Sequence, residues 1–94
     1  MFERVLRQMR EKIRTRQYVM TIHAEEEMND DSLSIFDVER AILTGSIAEK
    51  QEDHHTGEWK YVIEGQSLSG NMLGVVAKLG PTDKLVIITV YVDG

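Results

Sequence analysis

A histidine and a glutamate four residues apart are the first pair in this sequence that could do chemistry together. His23 and Glu27 lie in the stretch HAEEEM, where this spacing places both side chains on one face of a helix. A histidine and a carboxylate in contact can act as general acid and base or supply two ligands to a metal ion. The structural alternative is that glutamates in the first turn complement the helix dipole.

Two further histidines, His54 and His55, lie in the stretch DHHTG. They would join His23 and Glu27 around a metal ion only if this segment folded over the helix. Adjacent residues near a turn point in different directions. We therefore expect an exposed polar hairpin turn, with no metal ion and no cofactor.

Lys60 and Tyr91 complete a candidate catalytic set with His23 and Glu27. Cleavage of RNA without a metal ion requires a base for the 2′-hydroxyl group, a cation for the phosphorane and an acid for the leaving oxygen. His23, a lysine or arginine, and Tyr91 have the chemistry for these roles. Three arginines of the first predicted helix could hold the RNA backbone: Arg7, Arg10 and Arg14.

Charge is distributed unevenly along the 94 residues, whose net charge is −5. Residues 1–20 contain six basic and two acidic residues, whereas residues 21–53 contain two basic and ten acidic ones. This distribution allows an anionic partner to be bound at one end and repelled at the other. It equally allows the two segments to pair with each other.

The apolar spacing predicts three helices in the first half of the chain. The first covers residues 2–15 and has its arginines on a separate face from its apolar residues. YVMT interrupts this pattern, and Thr21 is the predicted N-cap of a second helix that continues to about Asn29. The third helix begins after a capping box at Ser34 and ends at Gly45, for which we predict a left-handed conformation.

After residue 45 the apolar residues alternate, which predicts strands. Short links favour antiparallel pairing, so we expect an α+β fold with three helices on one face of a four-stranded antiparallel meander. Trp59 and Tyr61 are expected to face the core. The last strand is apolar on both faces, which indicates an interior position or cover on both sides. The predicted strands are 46–53, 58–65, 71–79 and 84–92.

Composition predicts a single domain over residues 1–94 with one small core. The chain has no cysteine, which excludes disulfides and cysteine nucleophiles and suits a reducing compartment. Its longest apolar run, LVIITVYV, is far shorter than the roughly 20 residues of a membrane helix. We therefore expect a soluble cytoplasmic protein without a membrane partner.

Four motifs, in this order, resemble a bacterial family called domain of unknown function 4258. They are HAEEEM from His23, LSIFDVERAILTG from Leu33, YVIEG from Tyr61 and ITVY from Ile88. The resemblance covers nearly everything after residue 20. It implies a relationship to RelE-like toxins that cleave messenger RNA. It also implies an antitoxin protein and RNA as partners, with His23 and Tyr91 in the family's histidine and tyrosine positions.

Glu27 occupies the position where the family pattern has arginine, so the charge beside His23 is reversed. If that arginine binds phosphate in relatives, the contact is lost here, and three adjacent glutamates would repel RNA locally. Three hypotheses follow. They are a toxin-like, metal-independent endoribonuclease, a non-catalytic module for protein partners or self-association, and a metal-binding protein.

Overall fold

The computed structural model describes residues 2–93, which form three helices and five strands. The three predicted helices are confirmed, and the second ends at Asp30, one residue beyond the predicted Asn29. In chain order the elements are α1 (Glu3–Arg14), β1 (Tyr18–Met20), α2 (Ile22–Asp30), α3 (Ile35–Thr44), β2 (Ser46–Glu52), β3 (Trp59–Gln66), β4 (Met72–Leu79) and β5 (Leu85–Val92).

Both predicted helix N-caps are confirmed. The Thr21 hydroxyl accepts a hydrogen bond from the backbone N–H of Ala24 at 3.1 Å. The capping box of α3 is complete, because the Asp37 N–H donates to Ser34 Oγ at 3.3 Å and the Ser34 N–H donates to the Asp37 carboxylate at 2.9 Å. These bonds fix where α2 and α3 begin.

The predicted left-handed conformation of Gly45 is wrong. Its φ is −91° and its ψ is −167°, which is extended backbone that other residues also adopt. Glycine is required for a different reason, since a Cβ atom here would overlap the carbonyl oxygens of Ala41 and Glu64. The end of α3 therefore lies against the backbone of β3.

The sheet has the order β1-β5-β4-β3-β2, so the four-stranded prediction is wrong by one strand. The antiparallel pairing of β2 to β5 is confirmed. β1 adds a parallel pair with β5, with Tyr18 opposite Leu85 and Met20 opposite Ile87. Three residues are too few to show a strand period, and their partner lies near the other end of the chain. β5 is consequently an interior strand, as predicted.

Buried residues of all three helices form one core with the sheet, but α2 also lies along the outer edge of β5, where Glu27 accepts the Val90 N–H, so the predicted packing of three helices on one face is only partly right. The buried helix residues meet the inward side chains of β3, β4 and β5, such as Ile63, Val75 and Ile87. Tyr61 is in this core, with its ring 6.0 Å from that of Phe2. Trp59 was expected there too, but it is 49% exposed and stacks under the Lys50 ammonium group. The helices contribute Met9, Ile13, Ala24, Met28, Val38, Ala41 and Ile42 to the core.

None of the described helices is long and apolar enough to span a bilayer.

Candidate functional site

The HAEEEM segment lies along the outer edge of β5, at the point where the short strand β1 ends and α2 begins. β1 pairs with β5 only from Leu85 to Ile87. Thr21 then continues the pairing, since its backbone N–H donates to the Ile87 carbonyl at 3.0 Å and its hydroxyl donates to the Ile88 carbonyl at 2.8 Å. Thr21 thus caps α2 and extends the sheet at once.

Glu27 satisfies the next backbone group on this edge. Its Oε1 atom accepts a hydrogen bond from the Val90 N–H at 3.0 Å, and its side chain is 26% exposed. A β-bulge between β4 and β5 precedes this point, so Val90 lies beyond the irregularity. The Glu27 carboxylate therefore takes the place of a neighbouring strand.

His23 contacts the same carboxylate from the solvent side. Its Nε2 atom lies 3.3 Å from Glu27 Oε1, and its side chain is 66% exposed. An accessible imidazole beside a carboxylate can exchange a proton with a small molecule or an RNA hydroxyl group. The carboxylate atom it touches is, however, already engaged by the backbone of β5.

The second cluster lies on the open face, by which we mean the side of the sheet opposite the helices. Tyr91, Gly74 and Glu64 pair in register across β5, β4 and β3 on this face. The Tyr91 ring lies directly over Gly74, where any Cβ atom would overlap it. The missing side chain of Gly74 therefore allows the phenol of β5 to lean across β4 toward the carboxylate of β3.

Electrostatics links Tyr91 and Glu64 to a third residue, Asp93. The Asp93 carboxylate raises the pKa of Glu64, first through a hydrogen bond to its protonated form and then by charge repulsion. Burial raises the pKa of Tyr91, and the charges of Asp93, Glu64 and Glu49 add to the effect. This end of the open face is therefore acidic, and the phenol stays protonated at neutral pH.

The other end of the open face carries amines. Lys60 lies on the same side of β3 as Glu64, with Val62 between them. Lys78 of the neighbouring strand is paired with Glu58, their Nζ and Oε1 atoms being 3.1 Å apart. Lys60 takes part in no ion pair among residues 2–93. β3 thus presents a free amine and a carboxylate on either side of a valine.

The predicted catalytic residues fall into two groups. The structure brings His23 and Glu27 together at the sheet edge, and it places Lys60 and Tyr91 on the open face, on strands separated by β4. Within residues 2–93, no hydrogen bond or ion pair connects the two groups.

The three predicted RNA-binding arginines also differ in their surroundings. The Arg10 Nε and Nη2 atoms donate to the carbonyls of Ile42 and Gly45, at 3.2 and 2.7 Å, and so cap the end of α3. Arg7 is exposed, and Arg14 is exposed with its guanidinium 3.8 Å from Glu11. Only Arg7 and Arg14 are placed to meet a phosphate backbone without leaving a carbonyl unpaired.

His54 and His55 lie in the exposed turn between β2 and β3, where Asp53 accepts a hydrogen bond from the His55 N–H at 3.0 Å. The predicted turn is confirmed, and Gly57 adopts a positive φ of 72° in it. In the part of the chain that the structure describes, no group of three or more histidine, aspartate or glutamate side chains could hold a metal ion.

Sequence reasoning missed Glu64 and Asp93. The alternation of β3 places Glu64 on the other face of the strand from the core-facing Tyr61 and Ile63, so the sequence indicated that Glu64 lies on the outer face. Its proximity to Tyr91 was not, because the proximity depends on the register of three strands and on a glycine in the middle one.

Comparison with known proteins gives one result. The chain matches no curated protein and no solved structure. The profile of a family described as a domain of unknown function, DUF4258, matches residues 20–92, from the end of β1 to the end of β5. The match includes α2, the sheet edge it protects and the whole open face from β2 to β5, and the chain belongs to this family.

Proposed function

We propose that this protein is a non-catalytic protein interaction module and that the open face of its sheet is the contact surface. The observation that carries the proposal is the apolar composition of this face. Its centre is formed by Val76 and Val86, which are half-buried, and by Val62, which is only 7% exposed, and Val19 and Met72 lie toward its margins with 44% and 41% exposure.

A solvated face of an antiparallel sheet is normally polar, with alternating apolar residues only on the core side. β4 and β5 depart from this rule, because Val76 and Val86 are half-buried on the side away from the helices. Apolar side chains that remain accessible on a sheet face and are rimmed by charges are typical of a protein contact site.

The separation of the predicted catalytic groups supports the same function. A general base must come within about 3 Å of the proton that it removes, and the supporting cation and acid must reach the same reacting group. His23 lies at the outer edge of β5, whereas the Tyr91 ring leans the other way, over Gly74 toward β3. The Glu27 carboxylate is also already engaged, because it accepts a hydrogen bond from the Val90 backbone N–H. This geometry favours a scaffold over a catalytic centre.

Affinity capture of the tagged chain from the cells that make it, with mass spectrometry of the co-purifying proteins, tests the proposal. Val76→Lys places a charge in the apolar centre of the open face and should abolish capture of the partner. His23→Ala should retain it. Phe36→Lys is the matched control, since Phe36 is an exposed apolar residue of α3 on the other layer. Capture that survives Val76→Lys, or that is lost in His23→Ala, would contradict the proposal.

A toxin-like endoribonuclease is the second candidate, and the accessible pair of His23 and Glu27 supports it. The exposed Arg7 and Arg14 of α1 supply a basic surface for RNA. In this case an antitoxin protein would be the natural partner. Purified chain should then cleave single-stranded RNA, His23→Ala should not, and RNA binding should weaken steeply with salt as phosphate contacts release counterions. Salt-independent binding or equal cleavage by both forms would rule it out.

A further inference from the structure

We infer that the partner on the open face is a second copy of this chain, in a two-fold symmetric dimer in which the two sheets pack face to face. This inference rests on the proposed function, because it names the partner of the same surface. It is carried by the pattern of charges along β3 and by the apolar residues between them.

On the open face β3 presents Lys60, Val62 and Glu64 in that order. Read in the opposite direction the order is Glu64, Val62, Lys60, so each charged residue then lies opposite a residue of the other sign. If a second β3 lies over the first in the opposite direction, Val62 faces Val62 of the second copy, and each Lys60 faces a Glu64. The β3 strands of the two copies thus supply two equivalent ion pairs on either side of Val62, whose side chain is 7% exposed, so the ion pairs are the main contact along this strand.

A single two-fold axis produces this arrangement for the whole sheet. An axis lying in the interface, perpendicular to the strands and level with Val62, places each strand antiparallel over its own copy. Val76, which pairs with Val62 in β4, then also faces its own equivalent. Packed sheets keep their strands within about 30° of alignment and about 10 Å apart, which this axis allows.

The charges select this axis over the alternative. An axis parallel to the strands would place the acidic end of one open face against the acidic end of the other. Glu64 and Asp93 of one copy would then lie against the same acidic end of the other, and the repulsion between like charges would weaken association. The perpendicular axis instead brings this end against the free amine of Lys60 in the second copy. Glu49 lies level with Val62 on the edge strand β2, so the perpendicular axis brings only this carboxylate to its own equivalent, at the margin of the face.

The residues of β5 are also consistent with a second copy that covers the open face. Leu85 and Ile87 face the helices, whereas Val86 and the Tyr91 ring lie on the open face. Apolar residues on both sides of an interior strand are typical of sheets covered on both faces. Within residues 2–93 the helices cover one face of the sheet, and a second copy would cover the other face.

Charge-reversal variants of the full chain test this inference by sedimentation equilibrium. We expect a monomer–dimer equilibrium for the wild type between about 1 µM and about 1 mM. Lys60→Glu or Glu64→Lys alone should raise the dimer dissociation constant about tenfold or more, because symmetry creates two like-charge contacts in each dimer. The double variant Lys60→Glu, Glu64→Lys should restore dissociation to within about threefold of the wild type.

Lys50→Glu is the matched control, because Lys50 lies against Trp59 on the other side of the sheet and should leave the equilibrium unchanged. Thermal unfolding confirms that each variant is folded. A wild-type monomer at about 1 mM, or a dimer that neither single reversal weakens, would overturn the inference. If the chain is a monomer but still captures another protein through Val76, the proposed function stands and only the inference of a dimer fails. If the chain neither dimerises nor captures another protein through this face, both the inference and the proposed function fail.

Discussion

At the scale of single residues, the structure assigns Glu27 a role in the sheet. Its carboxylate accepts the Val90 N–H and so replaces a strand that β1 is too short to provide. The spacing of His23 and Glu27 predicted their contact correctly. It did not predict that Glu27 also bonds the Val90 N–H, because the local sequence around Glu27 does not indicate a hydrogen bond to a backbone group near the other end of the chain.

Removal of this acceptor should destabilise the protein. Glu27→Ala leaves the Val90 N–H without its partner and should lower the free energy of unfolding by about 1–2 kcal/mol. Glu27→Gln retains an oxygen acceptor and should cost less. His23→Ala is the control, since a side chain that is 66% exposed should change stability by no more than about 0.5 kcal/mol. Urea unfolding measures all three, and equal losses for Ala and Gln would contradict this role.

Glu27→Arg reverses the charge at this position and provides a separate test. A guanidinium group has only donors, so it would meet the donating N–H of Val90 without accepting from it. We expect faster hydrogen exchange at Val90 than in the wild type. Unchanged protection of this amide would show that Glu27 does not hold the edge of β5.

Tyr18 makes the stability of the fold decrease with rising pH in the alkaline range. Burial raises its pKa to about 12, and a hydrogen bond of 2.5 Å to Glu39 adds to the effect. The phenol ionises near pH 10.0 in the unfolded chain, so its contribution is complete below pH 10.0 and is lost as pH rises toward about 12. Urea midpoints between these values should therefore fall more steeply for the wild type than for Tyr18→Phe. Equal slopes would contradict the linkage.

At the scale of elements, local signals predicted the helices and four strands almost to the residue. Capping residues, apolar periods and turn residues all lie within a few positions of the boundary that they mark. β1 was missed because its strand character comes entirely from pairing with β5. Gly45 was assigned to the end of α3 for the wrong reason, since its constraint is the nearby backbone of β3.

The junction between α1 and α3 depends on Arg10. Because it bonds two carbonyls at the end of α3, Arg10→Met should lower the free energy of unfolding by roughly 1–3 kcal/mol. Arg7→Met removes an equal charge from an exposed position of the same helix and should have little effect. Chemical denaturation of the two variants makes the comparison. Equal effects would mean that Arg10 contributes only its charge.

At the scale of the whole molecule, the helices form the core with one side of the sheet and an apolar, charge-rimmed face lies on the other. Sequence alternation indicated that the last strand is apolar on both sides. It could not show which side the helices leave open, nor that Lys60 and Tyr91 lie there while His23 and Glu27 lie at the edge. That division follows from strand order and register, which only the assembled sheet defines.

The central claim is that function resides on the open face and does not require chemistry at His23. Bacterial growth after induced expression of the chain alone tests it most directly, with His23→Ala and Val76→Lys expressed to equal levels. We predict no growth arrest by the wild type or by either variant. Arrest by the wild type that His23→Ala relieves, with the His23→Ala protein still folded, would contradict the account and establish His23 as part of a toxic site.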